Sequence, residues 1–192
     1  MKKHIIIAGV PRAGKSTLSD RVARELGYQH ISMDSVIAGF ERCFPDLGVN
    51  TYQNKSSEET MRIISAKMAP FIQAMVESGE YDEHEYGMLI DMYQLLPSDY
   101  AANIDSERVG AIWLVTGDVS YDERLAIQLR HDTPKDYTYG RPIDELAEGC
   151  RYIVDQSKIY RAECERLGLP FFETARDREK VLDRAFECIK GM

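Results

Sequence analysis

The sequence predicts a three-layer α/β domain built on a five-stranded parallel sheet. Three observations carry that expectation. Five short β-branched or apolar runs alternate with stretches of helical periodicity along the 192 residues, the pattern of a sheet sandwiched by helices. The first two runs are joined through one helix by short connections, a β-α-β unit that favours parallel pairing. Between the first run and that helix lies Gly9-Val-Pro-Arg-Ala-Gly14-Lys15-Ser16, which fits G-x-x-x-x-G-K-[ST]. Its strand, loop and helix setting is the one in which this motif cradles phosphate.

Each residue type in the motif has a physical job. Gly9 and Gly14 reach backbone conformations a Cβ would resist, so successive N–H groups turn inward as an anion nest. The helix that follows adds unpaired N–H groups and the positive end of its dipole. Lys15 supplies a compact charge for the β- and γ-phosphates, and Ser16 a hydroxyl for Mg²⁺. The nucleotide-binding set is therefore Gly9, Arg12, Ala13, Gly14, Lys15, Ser16 and Thr17.

The elements follow in order. Ile5 to Ile7 form the first strand. Leu18, Val22 and Leu26 recur at i, i+4, i+8 and define an amphipathic helix that Gly27 stops. Residues 28–33 alternate polar and apolar as a second strand ending at Asp34. Val36, Ile37 and Phe40 share a helical face over residues 35–44, closed by Pro45. Polar residues 46–55 read as a loop. Ser56-Ser-Glu-Glu59 is a capping box for a long helix to Glu77, whose core face is Met61, Ile64, Met68, Phe71, Ile72, Met75 and Val76. Pro70 is expected to kink or split it. Residues 86–91 form a buried third strand ending at Asp91, residues 97–106 a loop, and residues 109–115 an apolar fourth strand. A helix over 121–130 precedes the turn-rich stretch 131–142, and a long helix over 143–167 is closed by Gly168 and Pro170. Residues 171–174 form the fifth strand, and Asp177 N-caps a last helix carrying Val181, Leu182, Ala185, Phe186 and Ile189. Ligands of such sheets bind at the carboxyl ends of the strands, where Gly9, Asp34, Asp91 and Gly117-Asp118 are expected to gather.

Composition bounds the function. The chain is 44% apolar and 29% charged, with a formal charge of 24 − 32 = −8. That charge argues against a surface for duplex nucleic acid, so any phosphate site must be a local concentration of basic groups. No apolar stretch reaches the roughly 18 residues a membrane span requires. Cys43, Cys150, Cys164 and Cys188 are widely spaced with no C-x-x-C pair, the usage of a reduced, cytoplasmic protein. His4, His30, His84 and His131 show no metal-ligand spacing. Nothing in the chain specifies an oligomeric state.

The phosphate motif, with Asp34 in Ile31-Ser-Met-Asp-Ser-Val, resembles the P-loop small-molecule kinases, a group that contains the nucleoside monophosphate, shikimate and gluconate kinases and chloramphenicol phosphotransferase. The resemblance covers most of the chain in layout and is sharp only over Gly9 to Thr17. It implies a P-loop NTPase fold with strand order 2-3-1-4-5 and one domain over 1–192. It also implies an acceptor-binding helical region at about 35–80 and a lid at about 124–142. It further implies ATP and Mg²⁺ as cofactors and transfer of the γ-phosphate to a hydroxyl of a metabolite, nucleoside or antibiotic.

In that family the aspartate after the second strand orients or deprotonates the acceptor hydroxyl, or supports the metal, which are the roles implied for Asp34; aspartate is equally a preferred helix N-cap. Asp91 is implied to support the metal with Ser16, or is a strand-end turn residue. Arg124 and Arg130, and with less force Arg141, correspond to lid arginines that close over the phosphates, or are solvated helix charges. His131, Tyr137 and Tyr139 lie in the same lid stretch. Residues 91–95, Asp-Met-Tyr-Gln-Leu, stand where nucleoside monophosphate kinases carry D-G-[FY]-P-R, and without the arginine a nucleotide acceptor is not specified. A GTPase switch is disfavoured because N-K-x-D is absent. The remaining alternative is a nucleotide-binding or ATPase module that regulates a partner and has no small-molecule acceptor.

Overall fold

A computed structural model describes residues 3–49 and 57–192. Its five strands are β1 (His4–Gly9), β2 (Gln29–Ser32), β3 (Met88–Met92), β4 (Val109–Val115) and β5 (Phe171–Glu173). They pair in parallel in the order β2-β3-β1-β4-β5, the expected 2-3-1-4-5. The helices are α1 (Lys15–Leu26), α2 (Met33–Cys43), α3 (Ser57–Glu77), α4 (Pro97–Asn103), α5 (Tyr121–His131), α6 (Ile143–Leu167) and α7 (Arg178–Lys190). Contacts of α1 with α7 make one outer layer, and contacts linking α3, α4, α6 and α5 make the other. No helix among the described residues is long and apolar enough to cross a membrane.

β1 is central and wholly buried, so its isoleucines face helices on both sides and need no polar alternation. The chain fills one side of β1 with β3 and β2, then crosses to the other side for β4 and β5. The reversal opens a crevice at the carboxyl ends of β1 and β3, where loops are free of the sheet.

Four expectations change. Residues 97–103 are helix α4 rather than loop. Pro97 occupies the first turn, where its missing N–H costs nothing, and the Tyr100 hydroxyl donates to Val109 O at 2.7 Å while its ring meets the Trp113 edge. Such a short helix draws its stability from these tertiary contacts, which leave no periodic signal. α3 runs unbroken through Pro70, held by the burial of Met68, Ala69, Ile72 and Val76 around it. β2 stops at Ser32 and α2 begins at once, so Asp34 lies in the first turn of α2 and Ser32 is the N-cap; the capping role for Asp34 falls. Asp177 does stand at the α7 N-cap, with φ 48°, but its side chain makes no capping bond. The proposed capping box at Ser56 lies outside the described residues.

His4 gives the fold a pH limit. Its ring is buried in β1, and Nδ1 accepts a hydrogen bond from Met88 N–H at 3.1 Å, which requires the neutral imidazole. Burial, then the charges of Arg108 and Lys3, push its pKa from 6.5 to about 4. The unfolded chain takes up the proton first, so stability is present above 6.5 and is lost as pH falls toward 4. That loss is expected to reach about 3 kcal/mol from this residue. Urea unfolding across the range measures it, and His4→Gln, which does not titrate, removes this part of the slope.

Candidate active site

The phosphate loop leaves β1 under a steric constraint that explains its first glycine. Gly9 has φ 125°, and a Cβ there would sit 2.0 Å from Leu114 O of β4. That approach lets Val10 N–H donate to the same carbonyl at 3.0 Å and turns the chain off the sheet. Gly14, with φ 105°, is the N-cap of α1; a Cβ on it would meet Arg178 Nε at 3.1 Å and Leu182 Cδ1 at 3.2 Å. α7 therefore closes one side of the loop. Ala13 is buried, and neither it nor Gly9 is among the residues lining the adjoining cleft.

A cleft of about 1070 Å³ opens from this loop. Pro11, Arg12, Gly14, Lys15, Ser16 and Thr17 line one end, joined by Arg178 and the turn residues His131, Asp136 and Tyr137. Asp34, Ile37, Ala38, Glu41 and Arg42 line the other, a single stripe of α2 at i, i+3, i+4, i+7 and i+8, with Asp91, Tyr93 and Gln94 from the end of β3. The volume stands at the upper end of the range for ligand-binding clefts.

Lys15 is the hinge between the two ends. Its ammonium donates to Val10 O at 3.0 Å, with the Tyr93 ring centroid 5.8 Å away. Burial lowers its pKa, and the negative charges of Asp91 and Asp34 oppose that shift. Asp91 is driven the other way: burial raises its pKa, Lys15 lowers it, and Asp34 raises it again. His30 Nε2 lies 3.8 Å from the same carboxylate.

Among the described residues no three or more His, Cys, Asp or Glu side chains cluster to hold a metal. The cleft does offer Ser16, Asp34 and Asp91, hard oxygen donors that include two mutually repelling carboxylates. Mg²⁺ takes one or two carboxylates and completes its shell with phosphate and water, so this donor set fits it.

The basic end is crowded with guanidiniums. Arg12 reaches across to the turn after α5, pairing with Asp132 at 2.9 Å and with Asp136. Hydrogen bonds from Thr133, then Arg12, pull the Asp136 pKa down to about 2, and Thr138 Oγ1 donates to Asp132 at 2.6 Å. Arg124 is only 3% exposed, and its Nε and Nη2 have no hydrogen-bond partner. Burial lowers its pKa, and Arg12 and Arg178 lower it further. Arg178 is lowered by burial and by Arg12. A buried guanidinium with two idle donors beside two other cations is costly unless an anion joins it.

Other expectations meet a different outcome. Neither Arg124 nor Arg130 is among the residues lining the cleft; Arg124 is buried next to Arg12 and Arg178, and Arg130 is exposed. α5 buries Arg124 and Gln128, one turn apart, and position 130 falls on the opposite side of that helix. Arg141 is also outside the cleft, its Nε donating to Tyr137 O at 3.0 Å. Tyr137, Tyr139 and His131 are all exposed, and of these Tyr137 and His131 line the cleft. Gly117 and Asp118 do not join it: their N–H groups bind Glu173 Oε2, and Asp118 pairs with Arg161. Arg178 was missed, although a basic residue opening a helix opposes the helix dipole and is itself a hint of an anion. Tyr93 and Gln94 left no signal in the sequence.

No protein-family model matches the chain, and no curated protein matches it in sequence. Solved structures do match, over nearly the whole length of each. Shikimate kinase from Acinetobacter baumannii, in complex with shikimate, has a TM-score of 0.59 at 16% identity, covering 100% of this chain and 94% of its own. The fold is that of the P-loop small-molecule kinases. A sugar kinase from Janibacter sp. HTCC2649 has a TM-score of 0.53 at 16% identity, covering 99% and 95%. Dephospho-CoA kinase from Campylobacter jejuni has a TM-score of 0.50 at 14% identity, covering 100% and 99%. These P-loop kinase neighbours act on three different acceptors, so the fold alone selects none of them.

Proposed function

We infer that the protein is an ATP- and Mg²⁺-dependent kinase that transfers the γ-phosphate to a hydroxyl of a small molecule. The observation that carries this is the uneven charge along one cleft: Arg12, Lys15 and Arg178 outnumber Asp136 at the loop end, and Asp34, Glu41 and Asp91 outnumber Arg42 at the other. Phosphoryl transfer requires that arrangement, with positive charge around the moving group and a carboxylate beside the attacking oxygen.

The phosphate-loop N–H groups and the start of α1 hold the triphosphate. Lys15 exchanges its bond to Val10 O for the β- and γ-phosphates, Arg178 adds charge from the cleft wall, and Arg124 turns its two idle donors to the phosphates from beside Arg12 and Arg178. Ser16 and Asp91 would hold Mg²⁺, which neutralises charge building on the phosphate oxygens. Asp34, facing the acceptor, takes the hydroxyl proton as the new P–O bond forms and the bond from the γ-phosphorus to the bridging oxygen breaks, releasing ADP. Residues 124–142 serve as the lid, drawn to the phosphate loop by Asp132 and Asp136 on Arg12. Within the region 35–80, the described residues Ile37, Ala38, Glu41 and Arg42 of α2 supply the acceptor wall.

Two measurements test this. ATP turnover should be slow alone and rise markedly with an acceptor; no rise with any hydroxyl compound would leave a nucleotide-binding regulatory module instead. Arg124→Met should weaken ATP binding by about 10–100-fold, the worth of charge-assisted hydrogen bonds, without lowering thermal stability. Calorimetric titration measures the first and a melting curve the second. Unchanged ATP affinity would remove Arg124 from the site.

A further inference from the structure

Gln94 is only 7% exposed, lines the cleft, and its Oε1 has no hydrogen-bond partner. A buried amide oxygen left unpaired costs about 1–3 kcal/mol, and native proteins keep few such groups without a use for them. The backbone around it is pinned by three buried side chains. Tyr160 Oη donates to Tyr93 O at 2.7 Å, Trp113 Nε1 to Leu95 O at 3.1 Å, and Leu96 N–H to Ser65 Oγ at 2.8 Å. The Tyr93 hydroxyl is tied to Tyr152. The segment is held at both ends while the one side-chain amide oxygen on it is left unpaired, which fits a preorganised ligand contact.

Resting on the kinase reading, we propose that Gln94 recognises the acceptor and that the acceptor is an uncharged polyhydroxylated molecule. One hydroxyl is offered to Asp34 for transfer and another is bound by the Gln94 amide. A carboxamide both donates and accepts, as a hydroxyl does, so the two satisfy each other without charge. Ile37, Ala38 and the Tyr93 ring give the carbon skeleton an apolar wall. An acid or phosphorylated acceptor would bring its anion against Asp34, Glu41 and Asp91, with Arg42 as the one described cation lining that end. A cationic acceptor would find a neutral amide at the buried position where a carboxylate would serve it better.

The test has two arms. Gln94→Met keeps the length of the side chain and removes its hydrogen bonding. Its melting temperature is expected to rise by about 2–4 °C, because the ligand-free protein loses an unsatisfied group. A fall would make the amide structural and overturn the proposal. In the unmodified protein, ADP release is assayed with matched panels of neutral polyols, hydroxy acids, sugar phosphates and amino-substituted polyols, with ATP binding titrated in the same samples. Stimulation by neutral polyols supports the proposal, and Gln94→Met should then lower kcat/KM for that acceptor tenfold or more with ATP affinity unchanged. Stimulation confined to charged acceptors overturns the acceptor class and leaves the kinase reading intact. Absence of ATP binding overturns both.

Discussion

Asp34→Asn is expected to slow phosphoryl transfer by about 10²–10⁴ while ATP affinity stays within a few-fold. The substitution changes one atom in the first turn of α2, where the side chain faces the cleft. Asparagine can still accept a hydrogen bond from the acceptor hydroxyl and so retains much of its positioning. It has no lone pair basic enough to take the proton, and the attacking oxygen must lose that proton as the bond to phosphorus forms. Single-turnover transfer and equilibrium ATP titration separate the two effects. Full activity in Asp34→Asn would end the assignment of Asp34 as base and leave it a neighbour of Lys15 and Asp91 only.

Lys15→Met is expected to reduce transfer by at least about 10²–10³ and to weaken ATP binding with it. The side chain is part-buried at the cleft wall, so water screens its ammonium only in part, and methionine fills much the same space without the charge. A second consequence follows from its neighbours. Lys15 is the largest influence holding the Asp91 pKa down, and Asp34 pushes it up. Without the ammonium, the Asp91 pKa should climb further and any metal affinity that depends on its ionised form should shift to higher pH. Mg²⁺ dependence of nucleotide binding, measured from pH 5 to 8, reads this out. Wild-type transfer in Lys15→Met would contradict the placement of the γ-phosphate at the loop.

The strands, six of the seven α-helices among the described residues and the phosphate loop were legible in the chain because each is written in neighbouring residues. Ile5 to Ile7 and Val109 to Val115 are apolar runs that only the middle of a sheet accommodates. The spacing of Gly9, Gly14 and Lys15 encodes a local backbone shape, and even the steric need for Gly9 shows as its identity. The strand order was anticipated from the family resemblance and not from the residues.

What tertiary structure alone decided was which polar groups meet. Arg12 and Asp136 are 124 positions apart and pair only because the turn after α5 folds back over the phosphate loop. α5 shows the limit most clearly, burying Arg124 and Gln128 while Leu129 stands 48% exposed. Hydrophobic periodicity assumes an apolar core beneath a helix; this one packs on α6, burying Arg124 near Arg12 and Arg178 and setting Gln128 Oε1 to accept from the Cys150 thiol at 3.4 Å. Arg178 and Gln94 escaped notice for the same reason. Apolar burial is driven by area and repeats with the geometry of the element, so sequence records it. Satisfaction of a hydrogen bond or a charge depends on one partner at one distance, and the fold supplies that partner from anywhere along the chain.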